Sequence, residues 1–257
     1  MDMVNGKTLY GMCAKGDIAK YVLLSGDPWR VDVLAKNLEN PRHIAFSREY
    51  NTYTGTYKGV EVTVSSTGIG APSAAIAMEE LYECGMEVAV RMGTFMVLND
   101  ADFGKYCVPI GAMRDEGTSA QYAPVSYPAI ADAELVKYLS QGVKDNGFEV
   151  VNGIVATKDG FYTNCRESKF SLERGIDMFK QIDELRQYGI AAIDMETSAL
   201  FTIGRLMGIK VASIALATVK ENLKEFMYGD IKKANEAVLC KVALDGLVKY
   251  AKRGEGV

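Results

Sequence analysis

Apolar residues recur along this chain with two periods. Runs of four to nine residues rich in Val, Ile and Ala read as strands: YVLL (21–24), VEVTVSST (60–67), VAVRM (88–92), VVNGIVAT (150–157), GIAAID (189–194) and KVASIALAT (210–218). Between them the apolar spacing lengthens to that of a helix. APSAAIAMEELYECG (71–85) places Pro72 in a first turn and Gly85 as a stop, and DMETSALFTIGRLMG (194–208) and KANEAVLCKVALDGLVKYAKR (233–253) carry basic residues near their ends. Strands alternating with helices predict an α/β fold with a largely parallel sheet covered on both faces. Ligands gather beyond the carboxyl ends of such strands, where Gly26, Gly70 and Thr94 are expected. The polar, mixed-charge stretch 159–189 predicts a loop followed by a helix, a long connection of the kind that forms lids and binding loops.

Composition narrows this picture. With 257 residues, 48% of them hydrophobic, and no repeat, low-complexity tract or linker, residues 1–257 are expected to form one domain with a substantial core. The longest apolar run, VASIALATV (211–219), falls far short of the ~18 residues that span a bilayer. MDMVNGK lacks the basic-then-apolar order of a signal peptide, so a cytoplasmic protein with no membrane partner is expected. Five cysteines with no CxxC pair argue against both a disulfide framework and a zinc site. A net charge of −4 offers no basic face for nucleic acid. The one histidine, His43 in NPRHIAFS, reads as a surface loop residue, and a Ser-His-Asp or Cys-His hydrolase would have to use it as its base.

Three arginines carry the candidate chemistry. Arg30 closes VLLSGDPWR, Arg48 opens REYNTYTG, and Arg91 lies in VAVRMGT, each beside an apolar run and a glycine turn. Guanidinium forks and backbone N–H groups at glycine turns replace the hydration of a small oxyanion well. In SGDPWR, Gly26 permits close approach to an anion and Pro28 stiffens the turn, although a plain surface turn reads the same way. STGIGAPSAA lacks the third glycine of a dinucleotide fingerprint; its helix start could hold an anion or a ribose, and tight packing explains its small residues equally well. Arg91 inside an apolar strand end needs a partner to offset its burial, and an anion, with the Thr94 hydroxyl, supplies one. In AIDMETSALF, Asp194 can cap the following helix, while Glu196 beside Met195 can accept hydrogen bonds from sugar hydroxyls.

Seven strings in this order, KGDIAKYVLLSGDPWR, SREYNTYTGTYKG, VSSTGIGAPSAAIAMEEL, RMGT, RDEGTSAQYAPVSYPAIAD, KDGFY and IDMETSALF, resemble the nucleoside phosphorylase-I family, its uridine phosphorylases in particular, over nearly the whole chain. The resemblance implies a mixed, barrel-like central sheet flanked by helices and a dimer-based assembly, commonly a homohexamer. It implies reversible phosphorolysis of a nucleoside, uridine first, to free base and ribose 1-phosphate, with inorganic phosphate as co-substrate and no metal or organic cofactor. By match to the family's motifs, Gly26, Arg30, Arg91 and Thr94 bind phosphate, and Arg48 enters from the partner subunit. Met195 lies against the ribose, Glu196 holds its 2′-hydroxyl, and Phe161 packs on the base. Arg91, Thr94 and Glu196 are the catalytic set.

The chain departs from the family pattern on the nucleoside side. Tyr10 stands where a histidine usually reaches the neighbour's ribose 5′-hydroxyl. Phe95 and Met96 follow RMGT in place of small residues and are expected to narrow the base pocket. Asn164, Arg166 and Lys169 offer an amide and cations in place of a glutamine-arginine pair that reads uracil, or else form a solvated loop. Glu221 stands at or near the position of the aspartate that protonates a purine base, or in an exposed turn. A purine or 5′-modified nucleoside phosphorylase, a nucleosidase using water, and a catalytically silent paralogue are the alternatives.

Overall fold

The computed structural model describes residues 5–220 and 225–254. Its strands are β1 (Tyr21–Ser25), β2 (Glu39–Ser47), β3 (Tyr50–Tyr57), β4 (Val60–Ser66), β5 (Val88–Val97), β6 (Tyr106–Cys107), β7 (Gly111–Asp115), β8 (Ala129–Ile130), β9 (Val150–Val151), β10 (Ile154–Lys158), β11 (Ile190–Asp194) and β12 (Lys210–Val219). The helices are α1 (Pro28–Ala35), α2 (Ala71–Glu83), α3 (Ala133–Asp145), α4 (Phe161–Asn164), α5 (Lys169–Glu173), α6 (Met178–Gln187), α7 (Thr197–Leu206) and α8 (Gly229–Ala251).

All twelve strands join one sheet, in the order β2-β3-β4-β1-β5-β11-β10-β7-β8, with β12 paired to β5 and β6, and β9 to β6. Strands β4, β1, β5 and β12 run parallel, as do β7, β10 and β11, but β5 meets β11 antiparallel. The sheet is therefore mixed and not largely parallel. The ten-residue β5 is its hub, pairing with β1, β12 and β11. The core follows from the runs seen in the sequence: Val22, Leu23 and Leu24 are fully buried, as are Ala89, Val90 and Met92. Helix α7 is buried from Thr197 to Gly204, and α2 and α8 add Ala74, Met78, Leu244 and Leu247.

Five strands lie outside the runs read from the hydrophobic pattern: the short β6, β7 and β8, and the longer β2 and β3. β3, YNTYTGTY, is polar yet mostly buried, because its hydroxyls pair across the ladder: Thr52 Oγ1 with Ser65 Oγ and Thr54 Oγ1 with Thr63 Oγ1, both at 2.7 Å. β2 is the exposed edge and carries His43, which is thus a strand residue bonded to Asn51 at 3.2 Å and not part of a loop. VVNGIVAT divides into β9 and β10, since the Asn152 side chain turns away to donate to Val108 O and Ser140 Oγ. The 159–189 stretch holds three helices where a loop and one helix were expected, with α5 opened by a Ser168–Ser171 capping box.

All five cysteines are free and buried. Burial pushes four of these thiols up to about 12 and Cys84 up to about 11, which leaves them unreactive. Among the described residues, no helix is long and apolar enough to cross a membrane.

Candidate active site

Ser66 and Ser25 end the parallel strands β4 and β1 level with Met92 of β5, but β5 itself runs on to Val97, so Thr94 lies within the strand and not beyond its carboxyl end as expected. Gly26, Thr67 and Gly93 follow these three residues directly. At Gly26 a Cβ would lie 3.4 Å from Gly68 O, so the two turns touch. Asp27 then starts α1 by accepting from Trp29 N at 2.9 Å, with Pro28 in the first turn. That turn presents Arg30, whose side chain is 10% exposed. Its Nη1 donates to Ser25 Oγ at 3.4 Å, its Nη2 is ion-paired to Glu236 of α8, and its Nε is buried without a partner.

Arg91 lies inside the adjoining β5, beside Leu24 of β1, and is buried. Its charge is balanced from within the chain: Nη2 contacts Glu196 Oε2 and lies 3.3 Å from Asp194 Oδ2. The anion that this buried guanidinium was expected to need is thus first a carboxylate pair. Nη1 remains buried without a partner. Glu196 also accepts from Gly70 N at 2.7 Å, which binds the glycine turn after β4 to the end of β11.

Asp194 accepts from Thr157 Oγ1 at 2.8 Å and from both N (3.1 Å) and Oγ1 of Thr197, so it does cap α7 as well as face Arg91. Burial pushes its carboxyl above the ordinary range; Arg91 pulls it back and Glu196 pushes it further up. Burial alone lowers the Arg91 pKa, but the two carboxylates more than reverse this. Gly93 lets the guanidinium fold back along its own strand, because a Cβ there would stand 2.6 Å from Nη1. Thr94 follows, half-buried, in register with Leu216 of β12.

The residues expected on the base side are arranged differently. Phe95 is 1% exposed and packs among Val97, Val155, Ala192 and Ala215, while Met96 packs against Met178 and Ile182 of α6. Both large side chains are core, and the narrowing expected of them is absorbed there; the Phe95 ring instead floors Arg91, whose Cζ is 5.5 Å from its centroid. Phe161 opens α4 and is 42% exposed. The Asn164 amide turns back on Gly160 O (2.8 Å) and Thr163 Oγ1 (3.1 Å), and Arg166 stacks on Phe226 at 5.4 Å. Lys169 opens α5, its side chain 90% exposed beside Glu173. Met195 is half-buried between the two carboxylates, and Glu221 lies outside the described residues.

Tyr10 and Arg48 stand together elsewhere, with Arg48 Cζ 5.2 Å from the Tyr10 ring centroid. The buried Glu80 of α2 fixes this edge by accepting from Tyr10 N (2.9 Å) and Gly11 N (2.5 Å). Arg48 has φ +54 at the turn between β2 and β3 and is exposed. The structure therefore gathers Arg91, Asp194, Glu196 and the glycine turns, sets Arg30 in the first turn of α1 after β1, and leaves Tyr10 and Arg48 on the surface. Sequence reasoning missed Glu236, since a glutamate on a long helix carries no local mark of its partner. A cleft of about 350 Å³ lined by Tyr127, Asp132, Arg205 and Lys210 opens toward the other end of β12, away from these residues.

Comparison with known proteins places this geometry. The model of the phosphorylase superfamily matches residues 20–243. A uridine phosphorylase from Thermococcus kodakarensis is 37% identical over 225 residues, covering 86% of this chain and 80% of its own. A guanosine phosphorylase from Halorubrum lacusprofundi is 35% identical over 210 residues, 81% of each chain. The crystal structure of uridine phosphorylase from Vibrio fischeri ES114 superposes with a TM-score of 0.84 at 34% identity, covering 95% of this chain and 98% of that one.

Proposed function

The chain belongs to the phosphorylase superfamily, and from that premise we propose that it is a nucleoside phosphorylase that cleaves uridine with inorganic phosphate, reversibly, to uracil and ribose 1-phosphate. One observation carries the reading. Arg30, in the first turn of the helix after β1, and Arg91, inside the neighbouring β5, each keep a buried donor that has no partner, Nε and Nη1 respectively. A buried donor left unpaired costs about 1–3 kcal/mol, and phosphate oxygens suit such forks. Gly26 follows the end of β1, and Thr94 lies within β5, two residues past the Met92 that pairs with Ser25.

In this reading phosphate sits beneath the sugar, held by Gly26, Arg30, Arg91 and Thr94. Met195 lies against the ribose and Glu196 takes its 2′-hydroxyl. As the glycosidic bond breaks, its electron pair leaves with the base and positive charge develops on the ribose; phosphate stabilises that charge and forms the new bond to C1′. Hydrogen bonds to the departing base stabilise its negative charge. Inorganic phosphate is the one co-substrate, and no cofactor takes part.

The stacked Tyr10 and Arg48 fit donation as a unit to a neighbouring site, in a dimer-based homohexamer serving cytoplasmic nucleoside salvage. A purine nucleoside is the second reading. It is favoured by Asn164 and Arg166, which are engaged with Gly160 and Phe226 and not arranged as a uracil-reading pair. Base release from uridine, guanosine, inosine and adenosine, with and without phosphate, tests both. Phosphate-dependent release from uridine above all is expected; release that ignores phosphate refutes the proposal.

A further inference from the structure

Arg30 is held by a group outside the motifs. Its Nη2 is paired with Glu236, about two turns into α8, and both side chains are largely buried, 10% and 17% exposed. The contact joins α1, which leaves the candidate phosphate turn, to the C-terminal helix. It engages only one edge of the fork: Nε has no partner and Nη1 makes a long 3.4 Å bond to Ser25 Oγ. A carboxylate and a phosphate present the same kind of acceptor to a guanidinium, and each repels the other. They cannot both lie against one buried fork at no cost.

We propose that Glu236 is an internal anion that holds Arg30 in position and is exchanged for phosphate on binding, so that it sets phosphate affinity. This rests on the phosphorylase reading above. Glu236 keeps the buried guanidinium neutralised and aimed at the strand end before phosphate arrives. Phosphate then takes the free Nε and draws Nη2 away from the carboxylate. The energy of breaking that pair is subtracted from phosphate binding, which makes Glu236 a positioning residue that limits affinity. Glu236→Gln keeps an acceptor for Nη2 and removes the competing charge.

Calorimetry with inorganic phosphate, together with phosphate KM and kcat, tests the exchange. Glu236→Gln is expected to bind phosphate about three- to tenfold more tightly, with phosphate KM falling in step and nucleoside KM and kcat within twofold of wild type. A strut that merely fastens α8 to α1 would lower Tm and leave phosphate affinity alone; that result, or weaker binding, overturns the proposal. Crystals of the wild-type chain with and without phosphate decide it independently of any variant. Separation of Arg30 from Glu236 only when phosphate is bound supports the exchange, and a contact unchanged beside bound phosphate refutes it. If the wild-type chain binds no phosphate at all, the phosphorylase reading itself falls and the exchange with it.

Discussion

The Arg91 guanidinium lies folded over Gly93, where a Cβ would stand 2.6 Å from Nη1 and 2.9 Å from Cζ. The guanidinium is pinned on its other side by Asp194 and Glu196, so it has little room to yield. Gly93→Ala is expected to displace it and reduce kcat/KM for phosphate about ten- to a hundredfold, the equivalent of one charge-assisted contact. Steady-state kinetics at varied phosphate check this, and unchanged phosphate dependence would show that the fold-back is irrelevant to the reaction.

Arg91→Ala should do more than impair phosphate use. Removing the guanidinium leaves two buried carboxylates without their counter-ion, a change that costs about 3–5 kcal/mol. The sign with pH follows from Asp194, whose carboxyl is raised by burial and loses its one opposing cation. A carboxyl that holds its proton more tightly when folded loses stability as pH rises. The deficit of Arg91→Ala is therefore expected to be largest at neutral pH and to shrink on acidification through the carboxylate range. Denaturant midpoints of variant and wild type at several pH values measure it; a deficit that grows toward acid contradicts the assignment.

The stack of Arg48 on Tyr10 predicts complementation between subunits. Chains carrying Arg48→Ala and chains carrying Glu196→Ala are each expected to be inactive. Mixed oligomers should regain part of the activity, because one interface then joins an intact Arg48 to an intact Glu196. Mixed oligomers that form, as seen by native mass spectrometry, and stay inactive exclude a shared site.

Away from the site, Asp245 joins the β3–β4 turn to α8 and α3 through Lys58, Lys241, Tyr57 and Asn146. Burial raises its carboxyl, but these four hydrogen bonds together bring it down from 3.8 to about 2. The stabilisation is present above the ordinary carboxylate value and is lost as pH falls toward the folded one. Asp245→Asn should cost roughly 2 kcal/mol at neutral pH and lose less on acidification than wild type, with nucleoside turnover retained. Equal acid sensitivity of the two proteins counts against this role.

Much of the site could be read in the chain because its residues sit where regular elements end. An apolar run that stops at Gly26 or at Asp194-Met195-Glu196 marks a strand terminus from local pattern alone, whereas β5 runs through Arg91-Met92-Gly93-Thr94 to Val97 because β12 and β11 pair with it there. Composition likewise limited the chemistry, since one histidine and scattered cysteines leave arginines and carboxylates to do the work.

Tertiary structure decided the partners. That Arg91 is neutralised by Asp194 and Glu196, more than a hundred positions on, and Arg30 by Glu236, depends on long-range strand order and helix docking with no trace in local spacing. The same holds for Phe95, whose burial follows from β5 meeting β11 antiparallel, and for β3, whose hydroxyls are satisfied only by the strand beside them. Periodicity reports which side of an element is apolar; it carries no information about which polar group from a distant element will lie against it.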